Sequence, residues 1–166
     1  MTFDLTQSQL KDLLHYSIET GVFTWIKARG PMPVGRIAGK TDKKGYGVIT
    51  INRKNYLSHR LAWLYVMGEF PAQAIDHING IRSYNKFENL RLASQSQNNF
   101  NTGIKSTNTS GFKGVVWSKA ANKWQAQSRV KGKNFYLGCY STPELAYKAY
   151  QKHAMLNHGE FYKETS

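Results

Sequence analysis

IDHINGIRSYNKFENLRLASQSQNNFN, residues 75–101, is the stretch on which the fold of this chain turns. AIDHI has the composition of a short strand, Asn79-Gly80 is a turn signal, and ENLRLAS reads as a second strand with Leu90 and Leu92 on one face. Ser94 then opens SQSQNNFN as a helix N-cap. A strand, loop, strand and helix in 27 residues are too few to bury a core alone, so the preceding segment must wall them in. The same stretch sets one Asp-His pair ahead of a run of neutral amides, where ordinary surface positions would do as well with Lys or Glu.

Upstream, Thr6 to Tyr16 has an amphipathic helical pattern, followed by the Gly- and Pro-rich turns of RGPMPVGRIAG. YGVITIN alternates, with Val48 on one face and Ile49 and Ile51 on the other, and NRKN turns the chain into YLSHR, a β-hairpin. A helix over about Arg60–Met67 follows, stopped by Gly68 and Pro71. Downstream, Thr102–Ser110 is polar and aperiodic, the pattern of a linker. FKGVVWSKA, KWQAQSRVKG and KNFYLGCY are then three β-rich runs at hairpin spacing. A helix from Pro143 to about Asn157 closes the pattern, with Thr142 as N-cap and Ala146, Ala149 and Tyr150 as its inner stripe. The expected class is α+β: a lobe over 1–101 with its core motif at 75–101, a linker at 102–110, and a three-stranded antiparallel sheet packed on one helix over 111–166.

Charge narrows the partners. Lys and Arg number 23 against 10 Asp and Glu, a formal net charge of +13. Between Asn89 and Pro143 there is no acid, while Arg91, Lys105, Lys113, Lys119, Lys123, Arg129, Lys131 and Lys133 all fall there. A single-sign surface of that kind neutralises phosphates and releases their counterions, whereas a face kept for solubility mixes signs. No run approaches the roughly 18 apolar residues of a membrane span, and MTFDLTQSQLKDLL lacks the basic and apolar regions of a signal peptide, so no membrane partner and a cytoplasmic location are expected. Cys139 is the only cysteine, which excludes an internal disulfide and any CxxC zinc ribbon.

Alternation in the second β-run sets Trp124, Ala126, Ser128 and Val130 on one face and Gln125, Gln127, Arg129 and Lys131 on the other. If the helix covers the apolar set, the open face presents amides and cations, the groups that read base edges and hold phosphates. Tyr136 is expected on that face, with Trp117 and Lys119 extending it from the first run and Lys113 and Lys123 adding charge. The segment FKGVVWSKAANKWQAQSRVKGKNFYLGCYSTPELAYKAYQKHAMLNHGEF resembles the Apetala-type DNA-binding domain of plant ethylene-response factors and many phage endonucleases, whose three-stranded sheet enters the major groove. FKGV, YLGCY with STPELA, Ala149-Tyr150 and HGEF carry the likeness; Gln151 and Val116 depart from it.

Cutting a phosphodiester needs a base for water, a divalent cation for the developing charge, and groups that hold both. Asp76 offers a hard oxygen ligand, His77 a general base near neutral pH, and Asn98 a neutral oxygen from the helix, with Asn99 and Asn101 as rivals for that place. Neighbouring strand residues face opposite ways, which suits one ligand and one base. Amides also add no negative charge against DNA, and Asn89 is placed to pin the loop near His77. The stretch resembles the HNH endonuclease motif, the β-β-α-metal fold, and HRLAWLYVMGEFPAQAIDHING resembles the lead-in of phage HNH proteins. The resemblance implies metal binding by Asp76 and Asn98, catalysis by His77 and Asn98, a structural Asn89, and one Mg2+ or Mn2+ ion. It further implies a homing-type enzyme acting on double-stranded DNA, as a monomer or transient dimer, in a host bacterium. His59-Arg60 matches the family's HR, His59 as structural and Arg60 as a phosphate contact; Tyr84 replaces the frequent loop Asp. The rivals are a non-cleaving DNA-binding regulator with a decayed nuclease lobe and, more weakly, an RNA-binding module.

Overall fold

The computed structural model describes residues 5–28, 33–94, 97–98, 104, 107–130 and 132–158, in two compact units, Met1–Ala93 and Ser94–Ser166. Helices and several small antiparallel sheets make the class α+β, as expected.

The first unit opens with α1, Gln7–Lys11, held by a capping box: the Gln9 N–H donates to Thr6 Oγ1 (3.3 Å) and the Thr6 N–H donates to Gln9 Oε1 (3.1 Å). The helix expected to run on to Tyr16 ends there. Leu14–Tyr16 instead forms β1, paired antiparallel with β2, Phe23–Trp25. Leu14 and Tyr16 are buried on either side of exposed His15, a period of two, and Tyr16 packs on Phe23 at a centroid distance of 4.7 Å. That cross-strand ring contact is not local in sequence, which is why the helical pattern misled.

Next comes a meander of three strands, β3 (Lys40–Thr41), β4 (Gly47–Ile51) and β5 (Lys54–Leu57). The β4–β5 turn is two residues, Asn52 and Arg53, both with positive φ (48° and 63°), the twist that tight antiparallel hairpins require. Ile49 and Ile51 are buried while Thr50 is exposed, so one face meets the core and the other does not. α2, Ser58–Met67, covers the inner face with Leu61, Ala62 and Leu64; each buried leucine contributes about 2 kcal/mol. Gly68, in the left-handed conformation at φ 89°, ends the helix by donating its N–H to Leu64 O at 3.0 Å.

The quoted stretch folds as β6 (Ala74–His77), a loop, a 3-10 turn at Phe87–Asn89, and β7 (Leu90–Ala93). The register places Asp76 opposite Arg91 and His77 opposite Leu90. Leu90 is buried, whereas Leu92, two positions along, is 39% exposed.

In the second unit Ser94 caps a helical turn: the Gln97 N–H donates to Ser94 Oγ (3.2 Å), the Ser94 N–H to Gln97 Oε1 (2.8 Å), and the Asn98 N–H to Ser94 O (2.9 Å). β8 (Val115–Ser118), β9 (Lys123–Val130) and β10 (Lys133–Tyr140) form an antiparallel meander, kinked by a bulge between Tyr136 and Gly138. α3, Pro143–His158, packs against all three strands through Ala146, Tyr150 and Ala154, and the Leu145 N–H bonds Thr142 Oγ1 at 3.3 Å as the N-cap reading requires. Gly114, at φ 75°, lies flat on the Tyr150 ring, where a β-carbon would clash. Asn108 and Ser110, within the stretch expected to be a linker, bond the backbone of Phe112, and Ser110 Oγ also bonds Val115 O.

Candidate active centre and candidate nucleic-acid interface

Two strand ends and one loop build the centre of the first unit. Ser58 and Asn85 crowd against Gly47, where a β-carbon would lie 2.7 Å from Ser58 Oγ, so only glycine lets β4 approach this closely. Asn89 staples the loop: its Nδ2 donates to Tyr84 O (2.8 Å) and Asn79 Oδ1 (3.1 Å), its Oδ1 accepts from the Asn79 N–H (3.0 Å), and its backbone carbonyl accepts from the Ile78 N–H (2.9 Å). Tyr16 Oη donates to Asn85 O at 2.7 Å, and burial pushes that phenol up to about 12, so it stays a donor.

Asp76 and His77 are each 4% exposed. The carboxylate meets Arg91 twice, Oδ2 lying 2.8 Å from Nη2 and 2.9 Å from Nε. The imidazole is held at Nε2, 3.1 Å from Asn85 Oδ1. Because Asn85 Nδ2 donates to Ser83 O at 3.1 Å, its Oδ1 must be the acceptor facing His77, so Nε2 carries the proton and Nδ1 the lone pair. Burial pushes His77 below its ordinary value, opposed by the Asn85 bond and the Asp76 charge. Burial thus favours the uncharged ring, the form that can accept a proton. His59 stands edge-on to it, centroids 5.1 Å apart at 82°, and Tyr46 packs against both. Burial first, then His77 and Arg60, push His59 down to about 3.

Neither Asn85 nor Arg91 stood out in the sequence as part of the centre. Asn85 sits in a loop with several amides of equal promise, and Arg91 was counted only as one cation in a basic window; strand register alone reveals its partner. Arg60 donates through Nη2 to Pro71 O at 3.1 Å and lies over the Phe70 ring. Asn98, half-buried, belongs to the second unit, and Asn99 and Asn101 lie outside the described residues.

On the second sheet, Ala126 and Ser128 are buried beneath α3 while Gln127 and Arg129 are exposed, with Lys123 and Gln125 on the same open face. Tyr136, 67% exposed, pairs in register with Gln127 and joins them. Trp117 is a correction: it is the register partner of Trp124 and packs edge-on against it at 5.1 Å, on the side of Val115 and Ala126. Val116 takes the open-face position beside Gln125. Lys119 lies in the β8–β9 turn rather than on a strand, and Lys131 lies outside the described residues. Lys113 borders a hollow of about 390 Å³ with Gln127, Arg129, Asn134 and Tyr150, and burial lowers its pKa.

Residues 56–100 match the HNH endonuclease family, a span that takes in β6, β7, His59, Asp76, His77, Asn85, Asn89 and Arg91 but not Tyr16, Tyr46 or Gly47. Protein 3.8 of Escherichia phage T7 is 33% identical over 104 residues, 62% of this chain and 85% of that protein. The chain belongs to the family of this phage protein and carries an HNH domain. No solved structure matches. An HNH domain implies DNA as partner and supports a nuclease function, and no helix among the described residues is long and apolar enough to cross a membrane.

HNH nucleases commonly use a divalent cation, and the donors present fit one in kind. Among the described residues no three His, Cys, Asp or Glu side chains cluster as a metal site. Asp76 offers one carboxylate, the donor type that a hard, oxygen-seeking cation takes.

Proposed function

We propose that this protein is a metal-dependent DNA endonuclease of the HNH homing type, which hydrolyses phosphodiester bonds in double-stranded DNA and finds its site with the β8-β9-β10 sheet. The observation that carries the reading is His77: buried, and held at Nε2 in one tautomer by Asn85. Its Nδ1 lone pair takes the proton of the attacking water, while the Nε2–H bond to Asn85 keeps the ring from turning and steadies the charge it gains. Asn89 keeps the 78–84 loop in register so that the base stays aimed. Asp76 would supply a ligand to the cation, Mg2+ or Mn2+, which when bound supplies charge neutralisation for the phosphate and the leaving oxygen. Gln125, Gln127 and Tyr136 contact bases and sugars, and Lys113, Lys123 and Arg129 contact phosphates. The Apetala-type likeness supports the sheet's role, and the phage relative supports action in a bacterial host, as a monomer or transient dimer.

Conversion of supercoiled plasmid by the purified protein with Mg2+, Mn2+ or EDTA, beside His77→Ala, tests this. Metal-dependent nicking or linearisation, lowered about 100-fold or more by His77→Ala, is expected. Failure of the wild-type protein to cut DNA that it demonstrably binds, across metals, would leave the non-cleaving regulator instead.

A further inference from the structure

Residues 27–53 of the first unit concentrate charge of their own. Lys27, Arg36, Lys40, Lys43, Lys44 and Arg53 are all exposed there, and Asp42 is the only acid in the stretch. Asp42 Oδ1 accepts from the backbone N–H groups of Lys44 (2.8 Å) and Tyr46 (2.9 Å), so that carboxylate closes the β3–β4 turn. A surface kept for solubility mixes signs, and this one does so barely.

Backbone pairing fixes where two of these cations stand. Residues 35–38 run beside β2: the Gly35 N–H donates to Trp25 O (2.7 Å), the Trp25 N–H to Arg36 O (2.9 Å) and the Ala38 N–H to Phe23 O (2.7 Å). Lys40 is the register partner of Val48, so with Thr50 it shares the face of the meander turned away from buried Ile49 and Ile51. Arg36 and Lys40 border one hollow of about 380 Å³ there, with Trp25, Val48, Thr50 and the 67% exposed Ile37. Ile37 and Lys40 also line a second hollow of about 180 Å³, whose wall includes Asn85, the residue that holds His77. The two hollows thus meet along Ile37 and Lys40. A concave strip with apolar side chains and cations suits a sugar-phosphate backbone, in which phosphates take the cations and deoxyribose packs on the isoleucine.

Resting on the nuclease reading above, we propose that the open face of β3–β4 is a second DNA surface, on which Arg36 and Lys40 hold two backbone phosphates of the duplex on the flank of the His77 centre. Contacts of this kind fix position and carry no sequence information. The first unit therefore has duplex affinity of its own.

The test is binding of the full chain to a duplex of arbitrary sequence, followed by fluorescence anisotropy in EDTA between about 50 and 200 mM salt. Wild type is set beside the double variant Arg36→Ala, Lys40→Ala and beside Lys148→Ala, Lys152→Ala, which removes the same charge from exposed positions of α3. The first pair should weaken binding about ten-fold or more and lower the salt slope by about 1.8, the worth of two phosphates, while the second stays near wild type. Lys40→Gln alone should lower the slope by about 0.9. Arg36 and Lys40 are exposed and the backbone bonds beside β2 are kept, so the melting midpoint should not move. Wild-type affinity and slope in the Arg36, Lys40 variant, or an equal loss in both double variants, overturns the surface; plasmid cutting by the wild type then leaves the nuclease reading standing. Loss of affinity confined to the Arg36, Lys40 variant, in a protein that cuts no DNA with any metal, keeps the surface and overturns the nuclease reading.

Discussion

In the first unit a three-stranded meander, β3-β4-β5, is covered by α2; in the second, β8-β9-β10 is covered by α3. The two differ in where they put polarity. Ser58, His59, Asp76, His77, Asn85 and Asn89 are buried in the first unit, whereas among the described residues of the second only Ser128 is. Burying polar groups costs stability unless each is hydrogen-bonded, and in the first unit Asn85 and Asn89 offset that cost with side-chain to backbone bonds, while His59 Nδ1 is buried without a hydrogen-bond partner. The first unit's polarity is enclosed and oriented, as chemistry requires. The second unit keeps an alanine-rich seam under its helix and leaves Gln127, Arg129 and Tyr136 in the open, where the proposed DNA contact would use them.

The most severe way to break this comparison is Gly114→Val. A branched side chain at φ 75° against the Tyr150 ring should destabilise the second unit by about 3 kcal/mol or more, seen as a lowered thermal midpoint and lost duplex retention. Asn85→Leu acts on the other side: it removes the acceptor that faces His77 Nε2. Cleavage rate should fall about 10- to 100-fold with duplex affinity unchanged.

A third test uses pH. His59 sits at about 3 when folded against an ordinary 6.5, so as pH falls the unfolded chain takes up a proton first. Its contribution to stability is complete above about pH 6.5 and is lost progressively between there and about pH 3. Melting curves across that range should show the decline, and His59→Phe should flatten it while keeping the ring that packs on His77. Smallest is Arg129→Ala, expected to lower the salt dependence of duplex binding by about one phosphate's worth, a slope change of about 0.9, without touching the cleavage rate of bound DNA.

The second unit was the more legible from sequence because its signals are local. Alternation along KWQAQSRV, Thr142-Pro143 at the helix start, and the alanine stripe each act within a few residues and agree with one another. Trp117 was assigned without fixing the register of β8, where a shift of one residue exchanges the faces, and Lys119 falls past the end of that strand. In the first unit the β4–β5 hairpin and α2 carry turn and stop signals of their own and were readable. The β1–β2 pair and β3 were not, since both are defined by partners elsewhere in the chain. The Asp76–His77 pair was visible as a motif, but its surroundings were not. Arg91 is 15 residues from Asp76, and Asn85 reaches His77 across a loop whose amides look alike in sequence.

Single-turnover cutting and retention of one labelled duplex, followed together for His77→Ala and for the double variant Gln127→Ala, Arg129→Ala, would test the division of labour most directly. His77→Ala should hold the duplex as wild type does and leave it intact, while the double variant should hold it weakly yet cut at the wild-type rate once saturated. Loss of retention and cutting together in His77→Ala, or unchanged retention in the double variant, would contradict the assignment of chemistry to the buried centre and DNA contact to the open sheet.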